Sequence, residues 1–347
     1  MRGLLKGYGI KRIYILGAGF SAPLGLPLTK DLLRLVYGVA ERRPWYLEGG
    51  ECSPHGQADW LLEKINWYFP LAEIDHESIV SGSSDDFNME QFLSYAAASS
   101  ASGERWSEHG DKFISFVKTN LAQAVVEQQR KSMRDIPAAY TQFANATVNS
   151  LVISFNWDTV LEALLDAAGR KYAFDLQSTW ENDSIPIIKL HGSVDWFREP
   201  EGNWRKDWMS FRPLTENFEG CVRAGGNLVR YYEHFMTPWI VIPAFDKVSQ
   251  ILKLGDLWQS PWMYLQDDLE VVIIGFSMRA DDFHTRAFIY PQLVHGSRSG
   301  RLSVKVIDYA INEEQQRGIR DRYAGVENCK YWFEGFSEGA LQFIDAS

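Results

Sequence analysis

Short apolar runs recur along the chain, and glycine or polar residues follow each of them. The clearest runs are rich in β-branched residues and are apolar at consecutive rather than alternate positions: Arg12–Leu16, Leu151–Phe155, Ile185–Leu190, Trp239–Ile242, Leu269–Ile274 and Ser303–Ile307. Such runs are typical of strands in a parallel sheet that helices cover on both faces. Helical patterns lie between several of them, so the sequence predicts a doubly wound parallel α/β fold.

The first two predicted strands are separated by a segment far too long for one crossover helix. Residues 41–147 are mostly helical in pattern and polar on one face, which predicts a helical insertion. We expect one domain over 1–347, with a sheet-forming core that comprises 11–40 and 148–347. A further stretch, 198–237, has little periodicity and many Trp, Arg, Gly and Asn residues, which favours a lid or a partner-binding elaboration.

Charge makes a polymeric nucleic acid an unfavourable partner. The 347 residues include 45 acidic and 35 basic ones, for a net charge of −10. An acidic surface opposes the counterion release on which binding to phosphate backbones depends. We therefore expect no direct, sequence-specific binding of nucleic acid.

The cysteines and the apolar segments give no sign of a secreted, zinc-binding or membrane protein. Cys52, Cys221 and Cys329 lie far apart and form no C-x-x-C pair, so they supply neither a disulfide framework nor a structural zinc site. No stretch approaches the ~20 apolar residues of a membrane-spanning helix, and the first residues do not resemble a signal peptide. We expect a cytoplasmic protein without a metal and without membrane contact.

A glycine-rich turn follows the first predicted strand. Its sequence is Gly17-Ala18-Gly19-Phe20-Ser21, and an amphipathic helical pattern comes after it. Glycines let the backbone approach a pyrophosphate, whose charge free N–H groups and a helix N-terminus hold, and a serine hydroxyl adds a donor. A glycine pair also serves merely to start a helix close to a sheet, and the three-glycine spacing of dehydrogenases is absent.

Two polar residues follow the second predicted strand, and a histidine follows the third. Asn156 and Asp158 stand where a strand gives way to a helix, and His191 precedes Gly192. Carboxyl ends of parallel strands line the ligand crevice, which favours a functional role for all three side chains. The alternatives are a turn residue for Asn156, a helix N-cap for Asp158 and a structural histidine.

Two later strands also end in residues suited to a nucleotide. Gly275 and Ser277 follow one strand, and Ser277 is the candidate ligand; the neighbouring Asp281 and Asp282 are interpreted first as a helix cap. Asp308 ends the next strand, where a carboxylate commonly accepts hydrogen bonds from ribose hydroxyls. An ordinary loop aspartate is an equally good interpretation of Asp308.

The order of these segments resembles the sirtuin family. Gly-Ala-Gly-x-Ser-x-x-x-Gly-x-Pro, Asn-x-Asp, Leu-His-Gly-Ser and Gly-x-Ser occur in that order between residue 13 and about residue 308. The resemblance implies a Rossmann-like domain that binds NAD as a substrate, with His191 as the base and Asn156 and Asp158 at the nicotinamide ribose. It further implies phosphate contacts from Gly17, Ala18, Gly19 and Ser21, and adenosine-side contacts from Gly275, Ser277 and Asp308, the last at a position where the family more often has Asn.

The chain departs from the deacylases of that family in one respect. Sirtuin deacylases carry a zinc domain built on two C-x-x-C pairs, and this sequence has no such pair. It looks more like the zinc-free, sirtuin-like effectors of bacterial antiphage systems, and Asp86–Leu93 is similar to an element of those effectors. That resemblance implies an NAD+ glycohydrolase that releases nicotinamide and ADP-ribose, forms a homo-oligomer and depends on a separate sensor or ATPase protein.

Two other functions remain open. An NAD-dependent protein deacylase or ADP-ribosyltransferase uses the same bond cleavage and predicts turnover that depends on an acceptor. A non-catalytic sensor of NAD or ADP-ribose within a larger complex predicts binding without release of nicotinamide.

Overall fold

The chain is described by a computed structural model, which covers residues 9–42, 56–82, 87–101, 104–174, 184–198, 210–213, 221–225, 228, 232, 236–243, 247, 250–251, 254, 257–258, 268–279 and 282–346. In chain order its elements are β1 (Arg12–Leu16), α1 (Ala18–Ser21), α2 (Leu32–Arg42), α3 (Gln57–Tyr68), α4 (His76–Ser81), α5 (Met89–Ala101), α6 (Glu104–Ser132), α7 (Ala138–Ala146), β2 (Ser150–Ser154), α8 (Val160–Ala167), β3 (Tyr172–Ala173), β4 (Ile185–Lys189), β5 (Gly192–Arg198), β6 (Ser210–Pro213), β7 (Cys221–Gly225), β8 (Pro238–Ile240), β9 (Leu269–Ile274), α9 (Phe283–Arg298), β10 (Leu302–Ile307), α10 (Glu313–Arg322), β11 (Lys330–Trp332) and α11 (Glu338–Asp345).

A seven-stranded parallel sheet forms the centre of the molecule, with strand order β11-β10-β9-β1-β2-β4-β3. Its middle strand β1 pairs with β2 on one side and β9 on the other, so that Ile13 lies opposite both Leu151 and Val271. These positions are fully buried, as expected of a parallel sheet with helices on both faces. The α/β, Rossmann-like fold class predicted from the unbroken apolar runs is confirmed.

The strand order reverses beside β1. The chain proceeds from β1 to β2 on one side, and it later returns to the other side of β1 as β9. In open α/β sheets, this reversal opens a crevice at the carboxyl ends of the two strands, and ligands bind there. The loops that follow β1 and β9 therefore flank the expected binding position.

A second, smaller sheet corrects one strand assignment. The predicted strand Trp239–Ile242 is β8, which belongs to an antiparallel sheet of order β6-β7-β5-β8 rather than to the parallel sheet. The reason lies at Gly192, whose φ is +74° and where a Cβ atom would lie 2.0 Å from the carbonyl oxygen of Trp239. Glycine lets the chain turn out of β4 and pair directly with β8.

The region predicted as an irregular lid, 198–237, lies mostly outside the described residues. Its described parts include β6 and β7, which pair with each other and, through β7, with β5. Sequence periodicity did not indicate these strands. They are short, and β5 itself is buried on both faces over 192–197, so the alternation that usually predicts antiparallel strands is missing.

Helices α3 to α7 occupy the described part of 41–147. They pack through aromatic side chains: the rings of Phe92 and Phe113 lie 5.2 Å apart, and those of Trp60 and Phe116 lie 5.0 Å apart. Farther along, Tyr14 of β1 contacts Phe143 of α7 at 4.9 Å. The helical segment thus joins the core of the sheet instead of forming a separate body.

Two kinds of feature are absent from the residues enumerated above. None of their helices combines the length and the apolar character that crossing a bilayer requires. No three of their His, Cys, Asp or Glu side chains are grouped closely enough to hold a metal ion.

The buried lysine Lys305 connects residues 344 and 346, after the last strand, to the start of β9. Lys305 of β10 forms an ion pair of 2.7 Å with Glu270 near the start of β9. Its ammonium also donates to the carbonyl oxygens of Ile344 and Ala346 at 2.6 and 2.7 Å. Lys305 is therefore a buried lysine with complete pairing, remote from the carboxyl ends of the strands.

Candidate functional site

The loops that follow β1 and β9 cross each other at their glycines. Gly19 donates its N–H to the carbonyl oxygen of Gly275 at 2.9 Å, and Gly17 donates to Ile274 at 3.0 Å. A Cβ atom on Gly275, whose φ is +60°, would lie 2.2 Å from the carbonyl carbon of Gly19. The glycines are thus required by the contact between the loops. Because this contact uses two of their N–H groups, a bound phosphate has to find other donors.

The helix after the glycine turn is shorter than the sequence pattern predicts. Helix α1 comprises only Ala18–Ser21, a 3₁₀ turn follows at Ala22–Leu24, and Gly25 ends that turn with φ of +80°. The amphipathic helix α2 begins later, at Leu32. Pro23 lacks the N–H that a continuous helix needs. A single helical turn supplies little of the macrodipole expected at the phosphates.

Ser21 connects the two polar residues that follow β2. The side-chain amide of Asn156 donates to the Ser21 hydroxyl at 3.3 Å, and Ser21 also lies close enough to the Asp158 carboxylate to favour its charged form. All three side chains are buried. The predicted proximity of Asn156 and Asp158 is therefore found, with Ser21 beside both.

Asp158 also binds the start of helix α8. Its carboxylate accepts the N–H of Val160 at 3.0 Å, although Thr159 occupies the N-cap position. Burial raises the pKa of Asp158, whereas the positive charge of Lys189 opposes that shift. Asp158 therefore supports the start of the helix from the position before the N-cap and also lines the cleft, and its functional role stays a prediction.

His191 lines the same region. Its ring packs edge-on against the ring of Phe155 at 5.1 Å between centroids, and its Nε2 atom is buried and has no hydrogen-bond partner. Burial lowers the pKa of His191; nearby Lys247 lowers it further and Asp282 raises it. The imidazole is neutral near pH 7.

A cleft at the carboxyl end of the sheet brings most of the predicted residues together. Its space, including the open mouth, is about 1070 Å³. Seven of the ten residues selected from the sequence line it: Gly17, Ala18, Ser21, Asn156, Asp158, His191 and Ser277. Gly19 and Gly275 instead form the loop crossing below it.

Asp308 lies in a neighbouring cavity. That cavity shares Ser277 with the main cleft and also contains Arg322 and Gln315. Burial raises the pKa of Asp308, and its carboxylate accepts the N–H of Tyr309 at 2.9 Å. Asp308 is therefore separate from the other polar residues but close to the loop that carries Ser277.

The loop after β9 is held in place from its C-terminal side. Tyr323 donates its hydroxyl to the carbonyl of Phe276 at 2.7 Å, and Arg322 donates to the carbonyl of Ser277 at 2.9 Å. The ring of Phe276 stacks on that of Phe155 at 4.5 Å. These contacts fix an aromatic wall next to His191.

Among the charged residues of the cleft that were not selected from the sequence, two form an ion pair with each other. Lys247 and Asp282 form an ion pair of 3.2 Å, and both line the cleft. Asp282 occupies the N-cap position of α9, as interpreted from the sequence, but its side chain forms no cap hydrogen bond; Asp281 lies outside the described residues. No sequence motif surrounds Lys247, and only its pairing in three dimensions reveals it.

Comparisons with known proteins add a structural likeness only. No protein-family model matches the sequence, and no curated protein matches it. A solved structure described as "The Structural basis of Sirtuin Substrate Affinity" is 12% identical, covers 96% of this chain and 93% of its own, and has a TM-score of 0.39. Another, "Structure of Sir2Tm bound to a propionylated peptide", is 11% identical over 96% and 92% of the two chains, with a TM-score of 0.28. Similarity at this level assigns no activity.

Proposed function

We propose that the chain is an NAD+ glycohydrolase, which cleaves NAD+ to nicotinamide and ADP-ribose. The observation that carries the proposal is that His191, whose buried Nε2 atom has no hydrogen-bond partner, lines the cleft together with Asn156 and Asp158. This cleft lies where the strand order reverses, the position at which nucleotides bind in folds of this class.

The reaction suits this set of residues. The bond from ribose C1′ to the pyridinium ring is already activated, because nicotinamide leaves as a neutral molecule. The site must stabilise an oxocarbenium-like ribose and present a water molecule, and no acid is needed for the leaving group. A neutral imidazole, an amide and a carboxylate provide those functions.

Each of the three residues takes one role. Asn156 holds the ribose hydroxyls and the attacking water, and Nε2 of His191 accepts a proton from the water or from a ribose hydroxyl. Asp158 supplies negative potential to the cationic ribose and orients Asn156 through Ser21. The hydrogen bond from Asn156 to Ser21, and the closeness of Ser21 to the Asp158 carboxylate, support this assignment.

The two adjoining cavities suit the two halves of a dinucleotide. The nicotinamide ribose occupies the cleft beside His191, and the adenosine extends past Ser277 towards Asp308. The phosphates lie over Ala18 and Ser21, since the N–H groups of Gly17 and Gly19 are occupied by the loop crossing. NAD+ is the substrate in this proposal, and no metal takes part.

We further propose, from the sequence resemblance alone, that the chain is the toxic effector of a bacterial antiphage system. Depletion of NAD+ would then follow activation by a separate sensor or ATPase protein, within a cytoplasmic homo-oligomer. The chain is accordingly assayed both alone and with proteins encoded beside it.

The test is a product assay with matched histidine variants. The purified chain is incubated with NAD+, and nicotinamide, ADP-ribose and cyclic ADP-ribose are quantified. Equimolar nicotinamide and ADP-ribose, lost in Asn156→Ala and His191→Ala but kept in the exposed control His295→Ala, support the proposal. Release that requires an acylated peptide or protein acceptor indicates a deacylase or a transferase. Binding of NAD+ without any release indicates a sensor.

A further inference from the structure

A buried lysine stands directly behind the candidate site. Lys189 is the last residue of β4, two positions before His191, and its side chain is 1% exposed. Its ammonium donates to the carboxylate of Glu162 in α8 at 2.8 Å and to the main-chain carbonyl of Asp158. Both partners belong to the segment that carries the polar side chains of the cleft.

Packing alone does not call for a lysine at this position. The neighbouring residues Ile187, Ile188 and Leu190 are all buried and apolar. Transfer of an ammonium and a carboxylate from water into a protein interior costs several kcal/mol per ion, and apolar residues of similar size often replace such a pair without loss of stability. The contacts of the Lys189 ammonium with Glu162 and with the main chain of Asp158 explain a charge at this position better than packing does.

A series of close contacts leads from Lys189 to the cleft. The ammonium donates to the main-chain carbonyl of Asp158, Ser21 lies close enough to the Asp158 carboxylate to favour its charged form, and the Ser21 hydroxyl accepts the amide of Asn156 at 3.3 Å. Every member of this series is buried. We therefore expect a substitution at Lys189 to alter the position of Asn156 through the residues that lie between them.

The charge of Glu162 is balanced independently of Asp158. Its carboxylate is attracted both by Lys189 and by Arg223 of β7, and Arg223 forms its own ion pair with Asp195 at 2.6 Å. Removal of Glu162 leaves the Arg223–Asp195 pair intact. Lys189 and Glu162 can therefore be removed together without leaving either partner of their ion pair unpaired, and Asp158 is then the buried carboxylate that loses its positive neighbour.

We propose that Lys189 is a positioning residue for the cleft: it fixes the Asp158 main chain and balances the Asp158 charge, so that Ser21 and Asn156 are held toward the substrate. The proposal rests on the glycohydrolase function for its kinetic consequences. Its structural consequence, the orientation of Asn156, does not require that function.

The groups that face Asp158 define the expected pH effect. Lys189 approaches from β4, the Ser21 hydroxyl from α1 and the Tyr140 phenol from α7. Burial raises the pKa of Tyr140 above its usual range, so Tyr140 stays neutral and Lys189 supplies the positive charge. Since Lys189 lowers the pKa of Asp158, its removal raises that pKa, and the acidic limb of kcat moves to higher pH.

The experiment compares two buried lysines in the full chain. Lys189→Met keeps the length of the side chain and removes its charge, and Lys305→Met does the same at the opposite end of the sheet. We expect Lys189→Met to lower kcat roughly 10- to 100-fold, as for residues that orient a catalytic group, with KM little changed and the acidic limb shifted upward. Lys305→Met is expected to lower the melting temperature while leaving the pH profile unchanged.

A double variant separates positioning from folding. Lys189→Met leaves Glu162 with less compensation, which alone could unfold the chain. Lys189→Met combined with Glu162→Leu removes both charges, and we expect it to fold with kcat still reduced and the acidic limb still shifted. Wild-type kcat and pH profile in the folded double variant would overturn the proposal.

A measurement without NAD+ keeps the inference distinct from the proposed function. The side-chain amide ¹⁵N–¹H signals of Asn156, identified by their loss in Asn156→Asp, are expected to shift in the double variant and to stay in place in Lys305→Met. If the wild-type chain releases no nicotinamide, the glycohydrolase proposal fails and this measurement decides on Lys189. Unchanged Asn156 signals in the double variant contradict the positioning role.

Discussion

The ring of His191 packs edge-on against the ring of Phe155, with the two centroids 5.1 Å apart. Burial lowers the pKa of His191, and the main chain of Phe155, the first residue after β2, opposes that shift. The position and the charge of His191 therefore depend on the geometry of the end of β2, the same strand end that delivers Asn156.

The first prediction concerns the pH dependence of NAD+ cleavage. A base whose pKa is lowered by burial stays unprotonated below its ordinary value of about 6.5. We expect kcat/KM, measured between pH 5 and 8 with free NAD+, to remain level through about pH 6.5 and to fall only in more acidic solution. An acidic limb centred on the ordinary histidine value, and absent from His191→Gln, would contradict the structure.

The second prediction concerns the loop crossing. Gly275→Ala places a Cβ atom 2.2 Å from the carbonyl carbon of Gly19, and its φ is +60°. The left-handed conformation costs an alanine about 1–2 kcal/mol, and steric overlap adds about 1–3 kcal/mol. We therefore expect a large loss in the free energy of unfolding, measured with urea, together with loss of nucleotide binding.

Gly300 offers the matched control for that substitution. Its φ is +71°, and a Cβ atom there meets nothing within 4 Å. Gly300→Ala should therefore show the conformational cost alone. Equal destabilisation by the two substitutions would mean that the loops after β1 and β9 do not cross as described.

The parallel sheet could be predicted from the sequence because its strands are buried on both faces. Unbroken apolar runs identified β1 and β9 with their observed bounds. The same rule failed for Trp239–Ile242, which is β8 of the antiparallel sheet, and it did not indicate β5, which is buried on both faces but antiparallel. What assigns β5 and β8 to the second sheet is the turn at Gly192, and a single glycine carries too little information to predict that.

The site was predictable where its residues follow strands. Asn156, Asp158 and His191 were found because the carboxyl ends of parallel strands meet at one edge. Lys247 comes from a segment without a pattern, and Lys189 lies within an apolar run, so neither position indicated a function. Their places beside the cleft become visible only through contacts between segments distant in sequence, such as the pairing of Lys189 with Glu162.

The third prediction concerns the support of the loop after β9. Tyr323→Phe removes the hydroxyl that binds the Phe276 carbonyl, which should cost about 1–2 kcal/mol of stability and weaken NAD+ binding. Tyr232→Phe is the control, since it removes a buried bond to the Val194 carbonyl in the second sheet. Both are expected to lower the free energy of unfolding. Calorimetric titration should show weaker binding for Tyr323→Phe alone, and equal affinities would exclude the supporting role.

The last prediction uses the ion pair beside His191 to move its pKa in opposite directions. Lys247 lowers the pKa of His191 and Asp282 raises it. Lys247→Met removes the repulsion and leaves Asp282 unpaired, so the pKa of His191 should rise; Asp282→Asn leaves Lys247 unpaired, so it should fall. Titration of the His191 ring nitrogens by ¹⁵N NMR measures both shifts, and the acidic limb of kcat/KM should move with them. Shifts of the same sign in the two variants would show that the pair does not control the charge of His191.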